Sequence, residues 1–180
     1  MSVTVCVRHG GAENKGRSDD GDRSDRAVNR ERARAWGREL QHVHHTLRQR
    51  MDLLRGKIDA DAPRDEFALE LGLFCIGFCV ALNGHHRAED GELFPRILAE
   101  HPDLVPVVEH LRQDHELLSM LLADLESVAR TATADELTRH LDGVEAIMDS
   151  HFGYEERQLV AVLDAMTTQD VDVGRMFGVD

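Results

Sequence analysis

Four stretches of this sequence repeat apolar residues at spacings of four and three, and each puts a histidine where the pattern asks for a leucine. In the first, Leu40, His44, Leu47, Met51, Leu54 and Ile58 follow at intervals of 4, 3, 4, 3 and 4. The second runs Phe67, Leu71, Phe74, Phe78, Leu82, His85 and Glu89. The third runs Leu104, Val108, Leu111, His115, Leu118, Leu122 and Leu125, and the fourth Leu137, Leu141, Val144, Met148, His151, Glu155, Gln158 and Val162. Side chains three and four apart share one face of an α-helix, so each stretch predicts a helix with one stripe to bury. Four such helices with short connections predict an all-α fold, an up-down-up-down four-helix bundle. The expected boundaries agree with that reading. Gly56 and the run Asp59 to Pro63 break the first helix from the second, and His101-Pro102-Asp103 opens the third. Thr133 and Glu136 have the spacing of a capping box at the start of the fourth.

The 180 residues suffice for one domain with a single core. Residues 1–25 are small, polar and charged, and read as a flexible N-terminal tail. Residues 26–167 read as the bundle, and 168–180 as a loose or weakly docked C-terminal extension. A formal net charge of −13 speaks against a nucleic-acid-binding face, which needs a basic surface. No apolar run reaches the roughly 20 residues of a membrane span, and the N-terminus shows no signal peptide. Cys6, Cys75 and Cys79 are too few for a disulfide framework. The expectation is a cytoplasmic protein with no membrane and no nucleic-acid partner; the sequence leaves its oligomeric state open.

The out-of-place polar residues carry the chemistry. His85 and Glu89, and His151 and Glu155, are each four apart, so an imidazole and a carboxylate point together into the covered interior. The chain also repeats itself: His44 precedes His85 by 41 residues and His115 precedes His151 by 36, and a second acid follows each glutamate (Asp90, Glu156). An uncompensated buried carboxylate is costly, so Glu89 and Glu155 call for cations. Four imidazoles and two carboxylates exceed the roughly four ligands of one zinc. They suit two ions in a helix bundle, a non-haem di-iron or di-manganese pair, with Glu89 and Glu155 bridging. His44 and His85 fall to one half and His115 and His151 to the other, with the pairing left open. The remaining His42, His45, His86, His101, His110 and His140 read as surface or supporting groups, and Cys75 and Cys79 as small core residues. A phase slip of one residue would bring in His45 or His86, and Asp90 or Glu156, instead.

The order His, His-x-x-x-Glu, His, His-x-x-x-Glu, with His85-His86-x-x-Glu89-Asp90-x-x-Leu93-Phe94-Pro95 at its middle, resembles the hemerythrin-like (HHE cation-binding) proteins over roughly residues 35–165. The resemblance implies a four-helix bundle around two non-haem iron ions with an oxo or hydroxo bridge. Its ligands would be His44, His85, Glu89, His115, His151 and Glu155. It implies a centre that meets O2, H2O2 or NO. The readings it leaves are an oxidoreductase that consumes peroxide or activates oxygen, an O2 or NO sensor or store without turnover, and iron handling or repair of iron centres. Oxygen-carrying relatives use a fifth histidine one turn from the third-helix ligand, where this chain has Ser119 and Leu111. That departure points away from reversible carriage and toward a more open, reactive site. Tyr154, the only tyrosine, is a candidate ligand or supporting donor.

Overall fold

The structure, a computed structural model, describes residues 19–59, 64–128, 132–166 and 173–178. They are helical apart from short connections, with no strand among the described residues. The helices are α1 (Asp19–Asp59), α2 (Arg64–Ala88), α3 (Phe94–Glu100), α4 (Val105–Val128), α5 (Ala134–Leu163) and α6 (Val173–Phe177). A π-helical turn (Glu89–Leu93) joins α2 to α3, and a 3-10 turn (Pro102–Leu104) leads into α4. The long helices pack in a closed ring, α1 on α5, α5 on α4, α4 on α2 and α2 on α1. No helix among the described residues is long and apolar enough to cross a membrane.

The striped faces line the inside of that ring. Leu40, Leu47, Met51, Leu54 and Ile58 are buried on α1, and Val108, Leu111, Leu118, Leu122 and Leu125 on α4. On α2 Phe78 and Leu82 are buried, while the side chains of Phe67, Leu71 and Phe74 lie outside the described residues. On α5 the stripe holds from Leu137 to Glu155 and then turns to Leu159 and Leu163, leaving Gln158 and Val162 half-buried. A period of 3.6 drifts against strict 4 and 3 steps, and over eight turns the drift moves the buried line by one residue.

Several boundaries differ from the sequence expectation. Residues 1–18, including Cys6 and His9, lie outside the described residues, but α1 reaches back to Asp19, inside the stretch read as tail. Gly56 does not end α1, which continues to Asp59. The helix read as one unit through Glu89 widens into the π turn, where the Phe94 N–H donates to the Glu89 carbonyl. The extra residue shifts the downstream phase, so Leu93 and Phe94 are buried side by side. α5 starts with the expected capping box: Thr133 Oγ1 accepts from the Glu136 N–H at 3.3 Å and the Thr133 N–H donates to Glu136 Oε2 at 2.9 Å.

In the C-terminal extension, α6 buries Met176 and Phe177 and packs on α1, α2 and the π turn. Two apolar side chains in a five-residue helix give too little pattern to read in advance, yet burying them stabilises the docked position by roughly 1.5–3 kcal/mol each.

Candidate metal centre

The histidines in the four stripes meet near the middle of the ring. His44, His85, Glu89 and Glu155 place one ligand atom each within 4.8 Å of one another, and His86, His115 and His151 form a second such group. All seven side chains are buried. The six predicted residues are therefore brought together, with His44 and His85 on one side and His115 and His151 on the other. Tyr154 is not part of the cluster's ring contacts. It is half-buried with its ring edge-on to His110, 4.8 Å between centroids.

His86 is the residue that sequence reasoning placed outside the site. It is 3% exposed and its ring stacks on His115 at 4.1 Å, 10° from parallel. Consecutive helical residues differ by about 100° in direction, and the buried arc of a helix is about that wide, so both His85 and His86 can face inward. The doubled His85-His86 was the available signal. α2 thus adds a fifth imidazole to the cluster.

Glu89 lies between the groups. Its Oε1 is 3.2 Å from His85 Nε2 and its Oε2 3.5 Å from His115 Nε2, so its two oxygens face different halves. Glu155 Oε2 is 3.3 Å from His44 Nε2 and 3.6 Å from His151 Nε2. Four rings thus turn Nε2 inward, and their Nδ1 atoms find acceptors on the outside. His44 Nδ1 meets Glu156 Oε1 at 2.9 Å and His85 Nδ1 meets the Phe177 carbonyl at 3.1 Å, both well-aligned hydrogen bonds. His115 Nδ1 lies 3.2 Å from Asp90 Oδ2 and His151 Nδ1 3.4 Å from Asp114 Oδ2, within ion-pair reach but short of hydrogen-bond alignment.

The second acid after each glutamate now has a role. Asp90 serves the histidine of α4 and Glu156 that of α1, each across a helix interface. Arginines hold both acids in turn: Arg48 reaches Glu156 at 3.2 Å and Arg112 reaches Asp90 at 3.4 Å. Phe152 stacks on His44 at 3.9 Å and Phe94 on His115 at 5.6 Å, which limits rotation of those rings.

The donor set fits cations. Both carboxylates of Glu89 and Glu155 and both nitrogens of His86 are buried without a hydrogen-bond partner among the described residues, as are Nε2 of His44 and of His85. His115 Nε2 and His151 Nε2 face each other at 3.2 Å. With Nδ1 protons on the outer acceptors, those two Nε2 atoms present lone pairs to each other, an arrangement that a cation between them relieves. The titration pattern agrees. Burial, reinforced by the charge on Glu155, pushes Glu89 well above the usual carboxylate range. Burial would also raise Glu155, but His44 overrides it and holds the group down to about 2. Burial lowers His85 to about 3 and His151 to about 4, and lowers His86 well below its ordinary value. Neutral imidazoles are the metal-ligating form, so these rings offer their lone pairs without losing a proton.

A family model for the hemerythrin HHE cation binding domain matches residues 38–163. No curated protein and no solved structure gives a significant match to the chain.

Proposed function

The chain belongs to the hemerythrin HHE cation-binding family, and we propose that it is a non-haem di-iron protein whose centre reacts with O2, peroxide or NO. The observation that carries this reading is the split of Glu89 between the two groups, Oε1 toward His85 and Oε2 toward His115. A carboxylate so placed suits two ions held side by side and gives a single ion no advantage. His44 and His85 would hold one ion, and His86, His115 and His151 the other, with Glu89 and Glu155 shared. When bound, such a pair supplies Lewis acidity and reversible electron transfer toward a small oxidant or gas. The ring of four long helices supports an up-down-up-down bundle as the scaffold.

The chain's own groups set the conditions. Glu156, Asp90 and Asp114 keep proton density on the outer imidazole nitrogens and make the inner ones better donors. The bulk of Phe152 and Phe94 against His44 and His115 keeps water away from those ligands. The two-imidazole half has one nitrogen donor fewer than its neighbour, which favours it as the side with an open position.

A second reading, gas sensing or storage without turnover, is favoured by His86, because the fifth imidazole removes the sequence argument against reversible binding. Stopped-flow mixing of iron-loaded protein with H2O2, O2 and NO separates the two. The expected result is a spectral change with peroxide or O2 consumed over repeated turnovers. Stoichiometric gas binding with no consumption would assign the second reading, and a protein that takes up one zinc and no iron would overturn both.

A further inference from the structure

The four inward-facing rings are not supported alike. His44, His115 and His151 have carboxylates at Nδ1, whereas His85 has only the main-chain carbonyl of Phe177. The two halves of the chain explain the gap. In the second half, the residue just before the α4 histidine, Asp114, faces His151 of α5. Its counterpart in the first half, just before His44, is Val43, which lines a cleft with His85 and can accept no hydrogen bond. The missing acceptor comes from outside the repeat. Phe177 is the last residue of α6, and a helix-end carbonyl has no partner within its own helix, so it is free to take the His85 proton.

Three further observations hold that carbonyl in place. Met176 and Phe177 are buried. Gly178 has a φ of +64°, and a Cβ there would stand 2.5 Å from the Gly84 carbonyl oxygen and 2.9 Å from the His85 nitrogen. Only glycine permits this approach of the two backbones. A carbonyl carries no proton, so the contact fixes His85 as the Nδ1-protonated tautomer and leaves Nε2 bare toward Glu89, 3.2 Å away.

We propose that the C-terminal segment ending in Phe177 and Gly178 is a positioning element for His85, standing in for the acid that α1 lacks and securing the ion of the two-imidazole half. This rests on the reading of His85 as a ligand. The test uses Gly178→Ala and a chain ending at Asp172, with Arg175→Ala, which removes only the exposed contact to Glu92, as control. In the metal-free protein, long-range proton–nitrogen spectra of the imidazoles should show a single Nδ1-protonated form of His85 in the parent and a mixed population in both variants. In protein loaded with ferrous iron, one of the two ions should pass to ferrozine about 10- to 100-fold faster in the variants, while the other leaves at the parent rate. Val43→Asp, added to the Gly178→Ala chain, should restore the single tautomer and slow the release. Unchanged tautomer and release in both variants, or equal acceleration of both ions, would overturn the proposal. If the parent takes up no pair of irons, the di-iron reading fails, and the metal-free tautomer still decides the role of Phe177.

Discussion

A carboxylate with no exposure is stable in a helix bundle only when something positive stands beside it, and among the described residues Glu89 and Glu155 have imidazoles within reach but no arginine or lysine. The outer acids serve the imidazoles. Asp90→Asn keeps the shape and removes the charge facing His115, and iron affinity should fall about 10- to 100-fold, measured by competition with a chelator. An unchanged affinity would show that Asp90 does not tune the ligand. The metal-free protein should also report its buried rings through pH. His85 and His151, lowered by burial to about 3 and about 4, and His86, lowered by burial well below its ordinary value, remain neutral in the native state where the unfolded chain takes up protons below 6.5. Their contribution is complete above 6.5 and is lost as pH falls through that window. Glu89, raised by burial, and His44, where Glu155 and Glu156 override the lowering effect of burial, hold protons in the native state and oppose this, but the three lowered imidazoles outweigh those two. Thermal unfolding of metal-free protein should therefore occur at lower temperature at pH 5 than at pH 7; a rise toward pH 5 would contradict the assignment of neutral rings. At this scale the sequence was nearly legible. His44, His85, His115 and His151 broke apolar stripes and so announced themselves, whereas His86 sat beside a stripe, where a buried and an exposed histidine look the same.

The helices were readable because burial imposes a period, and their ends because capping has its own chemistry. Thr133 shows the second point: it closes a reciprocal pair with Glu136 in an exposed position, free of core contacts. Thr133→Ala should cost ~1 kcal/mol, seen as a lower urea midpoint with the slope unchanged. No change in midpoint would mean that this cap adds nothing in the folded chain. The π turn and α6 escaped the sequence for a different reason. Gly91 in the π turn sets no register of its own, and the one-residue widening answers to packing of Leu93 and Phe94 in the finished core. Docking of α6 depends on a glycine contact with Gly84, far away in sequence, and no local pattern encodes it.

Across the whole molecule the two halves of the chain supply matching parts: a lone histidine, then a histidine and glutamate, then an acid that reaches over to the other half. The parts that do not match, His86 and the Phe177 carbonyl, make the halves unequal, three imidazoles against two. The acidic chain and the ring of helices are consistent with many functions; the interior donor set is what narrows them. Crystals of iron-loaded protein measured at the iron absorption edge test this most directly. Two anomalous peaks about 3.5–4 Å apart are expected, one beside His44 and His85, the other among His86, His115 and His151, with the Glu89 carboxylate between them. A single peak, or iron bound elsewhere while these seven side chains stay metal-free, would contradict it.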